Sequence, residues 1–299
     1  MIPRRLILAG VLAAALSGCR GLPGGPATAS PSATPSPPSP TPEPLAARVD
    51  GRPILLADFQ AEVARFEAAQ KALGIDLATL GGYKTKVLQG LVDRELLADG
   101  ARQNGFSLDP AAADAKVNQL ASEVGGSTAM GAWLAANGFT LESLKASLAE
   151  EILAEDMVQK IADGVPSSVD QVHARHILVA SQAAADTLRA QLVAGEDFAT
   201  LASQQSLDLS TRLAGGDLGW FPKGILTMPE VEAAAFALQN AGDLSPVVHS
   251  ALGFHIVQLV ERGDHPLSPQ ALQRLREQAV DDWLAARRQQ AKIEILVSP

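Results

Sequence analysis

From residue 47 the apolar positions fall at helical spacing. Phe59, Val63, Phe66 and Leu73 after Asp58 predict one helix, and Val87, Leu88, Leu91, Val92 and Leu96 a second that stops near Gly105. Val117, Leu120 and Val124 mark a third, Trp133 and Leu134 ahead of Asn137-Gly138 a fourth, and Leu144, Leu148, Ile152 and Ile161 behind a Thr140 cap a fifth. A short strand and turn precede them in Arg-Val-Asp-Gly-Arg-Pro-Ile (48–54). After Gly164-Val165-Pro166 breaks the last helix, the period changes. Residues 171–180 alternate as a strand, 183–194 form a helix ending at Gly195, and 197–205 a shorter helix. A polar loop over 206–214 leads to a strand at 215–221, a helix at 229–238 with proline at its first position, and strands at 245–249 and 254–262. The order of this part is β-α-α-β-α-β-β. A closing helix carries Leu272, Leu275, Ala279, Trp283 and Ala286, and Lys-Ile-Glu-Ile-Leu-Val (292–297) alternates again. A strand so late needs an earlier mate, and the strand at Val49 supplies it.

Composition narrows the picture. A length of 299 residues with 47% hydrophobic residues suits two domains with sizeable cores. The net charge of -9 and pI near 5.1, with no run of Lys or Arg, argue against a nucleic-acid partner. Aromatic residues at 4% favour helices packed through small side chains over a large β-sandwich. The single Cys19 excludes an internal disulfide and a cysteine-rich zinc site.

The N-terminus reads as an export signal, 1–18, because Arg4 and Arg5 precede an apolar run (6–16) shorter than the roughly 20 residues a membrane span requires. Leu-Ser-Gly-Cys (16–19) resembles the bacterial lipobox, which implies a lipid on Cys19 and an extracytoplasmic protein anchored to the bacterial membrane. An ordinary signal with an incidental cysteine is the other reading. Residues 19–45, rich in Pro, Ser and Thr, have too little apolar surface to fold and read as a tether reaching about 70 Å at roughly 3 Å per residue.

Candidate chemistry lies between the two long segments. His-Ala-Arg-His-Ile-Leu-Val (173–179) and Leu-Gly-Phe-His-Ile-Val-Gln-Leu (252–259) each carry a histidine into a strand, with glycine-rich turns between, which predicts that His176 and His255 meet in one pocket. The pair acts in chemistry or simply satisfies itself in the sheet; both readings stand. His173 with His176 is a poor metal pair, because residues three apart on a strand point to opposite faces. No cofactor is implied. Asp208 is a site acid or a loop-capping acid.

Four ordered stretches carry a resemblance: His-Ile-Leu-Val at 176–179, Gly-Gly-Asp-Leu-Gly-Trp-Phe at 215–221, Glu-Ala-Ala-Ala-Phe-Ala-Leu at 232–238 and Gly-Phe-His-Ile-Val at 253–257. Together they resemble the parvulin family of peptidyl-prolyl cis-trans isomerases, and the flanks look like the chaperone body of secreted PrsA/SurA-type foldases. The resemblance implies an α+β fold. A helical chaperone domain (46–165 with 266–299) would hold an inserted parvulin domain (170–264) built on a four-stranded antiparallel sheet. It also implies that His176, Asp208 and His255 form the catalytic group, with Leu218, Thr227, Met228, Val231 and Leu252 binding substrate. The pocket departs from the family pattern: the segment 224–231 is one residue longer, and Val231 stands where the family has phenylalanine. Two functions follow, an isomerase and chaperone for exported polypeptides containing X-Pro, or a non-catalytic holdase with a degenerate parvulin domain. A homodimer is compatible with either.

Overall fold

A computed structural model of the chain describes residues 43–298; the export signal, Cys19 and nearly all of the tether lie outside them. No helix among the described residues is long and apolar enough to cross a membrane.

The body opens with a hairpin of β1 (Leu45–Val49) and β2 (Arg52–Leu55). Its two-residue loop, Asp50-Gly51, has φ of 48° and 84°, the left-handed pair that tight hairpins require. Helices α1 (Leu56–Ala72), α2 (Tyr83–Gln103), α3 (Pro110–Glu123), α4 (Ser127–Ala136) and α5 (Leu141–Asp163) follow. Thr140 caps α5 as expected, in a reciprocal box with Ser143. Asp58, by contrast, caps nothing: α1 starts directly from β2, so Asp58 lies inside its first turn, and Leu73 falls just past its end, exposed.

The second part contains β3 (Ser168–Val179), α6 (Gln182–Val193), α7 (Phe198–Gln205), β4 (Asp217–Phe221), α8 (Pro229–Ala237), β5 (Val248–Ser250) and β6 (Gly253–Pro266). The chain then returns to the body as α9 (Pro269–Gln290) and β7 (Ile293–Ile295). The mate of the late strand is the expected one: β7 pairs antiparallel with β1, Ile293 opposite Val49, in a sheet ordered β2-β1-β7. The first strand and the last therefore share one core. In it Val49, Leu88, Leu96, Leu153 and Met157 pack with Val280 and Leu284 of α9.

The other sheet runs β4-β3-β6-β5, antiparallel throughout. Strands β3 and β6 pair from Ser168↔Pro266 to Val179↔Phe254, longer than the apolar alternation suggests, because the ladder continues through polar, solvent-facing residues. Alternation sorts the side chains onto two faces. Val172, Ala174, Val257 and Leu259 face α8, while Ile177, Val179 and Ile256 face α6 and α7.

Candidate active site

His176 lies opposite Val257 in the β3–β6 ladder, and His255 is two residues earlier on β6. That makes the histidines diagonal neighbours on one face of an antiparallel pair, the face covered by α8. Both rings are fully buried and stacked, centroids 5.4 Å apart, with Nδ1 to Nδ1 at 3.2 Å. His176 Nε2 reaches Asp208 Oδ2 at 2.7 Å from the loop after α7. Asp208 is also held by its neighbours: Ser210 N–H and Oγ donate to Oδ1 at 3.0 and 2.6 Å, and Thr211 Oγ1 donates to Oδ2 at 2.6 Å. Burial alone would raise the pKa of Asp208, but the hydrogen bonds from Ser210, Thr211 and His176 outweigh it and hold the carboxyl well below the usual carboxylate range.

These contacts set the tautomers. An ionised Asp208 only accepts, so His176 donates through Nε2 and, while neutral, accepts at Nδ1. His255 then donates from Nδ1 and accepts at Nε2, where Ser250 Oγ stands at 2.7 Å. The Leu252 N–H donates in turn to Ser250 Oγ at 3.1 Å. The result is one directed chain from the β5–β6 turn, through two imidazoles, to the carboxylate. Burial first, and then the neighbouring His176, push the pKa of His255 down to about 4.

The sign of this shift gives a stability prediction. Between about pH 6.5 and pH 4 the unfolded chain binds a proton at His255 that the folded chain refuses, so this contribution is complete above pH 6.5 and is lost on acidification toward pH 4. At roughly 1.4 kcal/mol per pH unit between 6.5 and about 4, the loss amounts to no more than about 3.5 kcal/mol. The measurement is the urea midpoint of the wild type minus that of His255→Gln across this range, which should narrow as pH falls. The difference is needed because Glu95 in α2 acts oppositely. Burial and then Glu150 raise its pKa to about 7, and its contribution is lost as pH rises from 4.5 to 7. A difference that stays flat with pH would refute the assignment to His255.

Apolar side chains lie on the same face as the histidines. Leu218 of β4 and Met228 of the loop before α8 are half-buried against Val172, Phe221, Val231 and Phe236, and Leu226 joins them as a residue that sequence reasoning missed. Val231 does not line a cleft: it is fully buried beneath this ledge, because α8 turns it toward the sheet. Thr227 is exposed, and Leu252 is 64% exposed in the β5–β6 turn. Ser250, Ser210 and Thr211 were missed as well; their spacing from His255 and Asp208 carries no signal until the turns are formed. The loop over 206–214 contains a 3-10 turn (Arg212–Ala214) and exposes Leu207, Leu209 and Leu213, so it is less polar outward than expected. His173 and His176 take separate partners: Nε2 of His173 donates to Asp217 Oδ1 at 2.6 Å.

Comparison with known proteins places names beside this geometry. Residues 171–261 match the family model described as the PPIC-type PPIase domain, and residues 7–158, just over half of the chain, match the SurA-like N-terminal domain. The chain is 31% identical over 241 residues to the foldase protein PrsA of Halalkalibacterium halodurans, covering 72% of this chain and 70% of the relative. It is 32% identical over 179 residues to PrsA of Caldanaerobacter subterraneus subsp. tengcongensis, covering 58% of this chain and 56% of that one. The chaperone SurA of Dechloromonas aromatica is 38% identical over 156 residues, 46% of this chain and 35% of the relative.

Proposed function

Since the chain belongs to the PrsA foldases, with a SurA-like N-terminal domain and a PPIC-type PPIase domain, we propose that it is a peptidyl-prolyl cis-trans isomerase and folding chaperone for exported polypeptides. The observation that supports this most is the directed hydrogen-bond chain Leu252–Ser250–His255–His176–Asp208 beside the half-buried ledge of Leu218, Leu226 and Met228.

Rotation about an X-Pro bond breaks no covalent bond; the barrier of roughly 18–20 kcal/mol is amide resonance. The planar amide is the more polarised state, with negative charge on oxygen. A catalyst must therefore favour the twisted form over both planar ones. The ledge takes the proline ring and removes water that would stabilise the polarised planar form. The Asp208 carboxylate, placed toward the substrate carbonyl, further disfavours charge on that oxygen. The buried imidazoles fix the direction in which Asp208 is hydrogen-bonded and do not attack the substrate. In this reading His176, Asp208 and His255 form the catalytic group, Leu218 and Met228 bind the proline, and Thr227 and Leu252 contact the flanking residues.

The SurA-like helices with α9 and β7 act as the body that holds unfolded clients. Anchoring through a lipid on Cys19, beyond a Pro-rich spacer, places this activity outside the cytoplasmic membrane. A protease-coupled assay on an X-Pro peptide tests the reading. The full chain should raise the cis-to-trans rate above background, and Asp208→Asn, which removes the charge while keeping an acceptor, should lower kcat/KM about tenfold. A wild-type rate equal to background refutes the isomerase. It would leave the holdase, a reading favoured by the buried position of Val231, which leaves the ledge shallow.

A further inference from the structure

The segment between β4 and α8 supplies two of the three ledge residues, Leu226 and Met228, and also Thr227. Three successive backbone amides in it point to one side chain from α8. Glu232 Oε1 accepts from Gly224 N–H at 2.8 Å, and Oε2 accepts from Ile225 and Leu226 N–H, each at 3.0 Å. α8 begins with Pro229 at its first position and Met228 makes no side-chain cap, and Glu232 in the first turn reaches back over the loop. Gly224 has φ of 85°, the left-handed region that favours glycine, and the end of the Gln278 side chain of α9 lies beside it.

We infer that Glu232 is a positioning residue for the isomerase site: its carboxylate gathers the amides of residues 224–226 and so fixes the height and direction at which Leu226, Thr227 and Met228 face the proline. The inference rests on the isomerase reading, and it specifies which group shapes the substrate-facing loop. Replacing the carboxylate frees three amides at once, whereas glutamine keeps one acceptor and turns a donor toward the others. The loop then samples other shapes and substrate binding weakens, while the Asp208–His176–His255 group, on different elements, is untouched.

The test compares the full chain with Glu232→Gln, Glu232→Ala and Glu232→Asp by steady-state isomerisation of an X-Pro peptide and by backbone amide exchange of residues 222–228. For Gln and Ala, KM should rise about five- to tenfold with kcat within about twofold, and the loop amides should exchange at least about tenfold faster. Asp, one methylene shorter but still a carboxylate, should restore part of both. An unchanged exchange rate in the loop overturns the inference. So does a fall in kcat at constant KM, or failure of Asp to restore anything, which would mean that Glu232 supports the fold generally. If the wild-type chain does not isomerise the peptide, the isomerase reading fails, and amide exchange alone still decides whether Glu232 holds the loop.

Discussion

Gly216→Ala is expected to take the isomerase rate to background and to lower the stability of the β4-β3-β6-β5 sheet by about 2–5 kcal/mol. At this position φ is 81°, and a Cβ would sit 2.1 Å from the backbone oxygen of His176. Because the atom it meets is main chain, no side-chain rotation can relieve the contact. The same two residues are joined by the His176 N–H to Gly216 carbonyl bond at 2.8 Å, so pushing them apart opens the β3–β4 register directly behind the His176 ring. Overpacking costs about 1–3 kcal/mol and a left-handed alanine about 1–2 kcal/mol, and here they add at one point. Denaturant unfolding followed by Trp220 fluorescence, with Trp133 and Trp283 replaced by Phe in both proteins, alongside the isomerase assay, checks both parts. A variant with wild-type stability and rate would show that the backbone can pass elsewhere.

Larger still is the effect of ending the chain after Pro266. The loss of α9 and β7 removes Val280, Trp283 and Leu284 from the core of the body and the partner strand of β1. It also removes Arg287, which bonds Asp50 and Asp99 at 2.9 Å, and Arg288, which pairs with both oxygens of Asp93. Trp283 lies so close to α2 that a Cβ on Gly100 would stand 2.7 Å from its ring. Leu284 is fully buried, and losing one large buried aliphatic side chain costs about 2–5 kcal/mol, a large part of the 5–15 kcal/mol that holds a typical domain together. The truncated body should lose cooperative unfolding and become protease-sensitive between α1 and α5, while β3 to β6 keep their own transition. Retention of a single wild-type transition would refute the shared core.

Most of this was legible because the signals are local or periodic. The helices from α2 to α5, the order β-α-α-β-α-β-β, the Thr140 cap and the proline-led α8 all follow from spacing and cap chemistry within a few residues. The pairing of β7 with β1 joins the two short alternating stretches, at 48–54 and 292–297, that stand apart from the histidine-bearing strands. The convergence of His176 and His255 was visible because a strand fixes which face a residue takes. What escaped depends on how loops fold. Ser250, Ser210 and Thr211 owe their places to turns, Leu226 to a bend stabilised from the next helix, and the burial of Val231 to the rotation of α8 about its axis. None of these leaves a period in the sequence. α1 starts two residues before Asp58, at Leu56, because β2 runs straight into the helix.

The hydrogen bonds between β1 and β7 also impose an order on biosynthesis. As the polypeptide emerges from the ribosome, the strands from β3 to β6 have every partner they need once residue 266 is out, whereas the SurA-like body still needs β7 to complete its sheet. The nascent chain thus completes its PPIC-type unit first, and the SurA-like body stays open, with apolar faces uncovered, until β7 has followed.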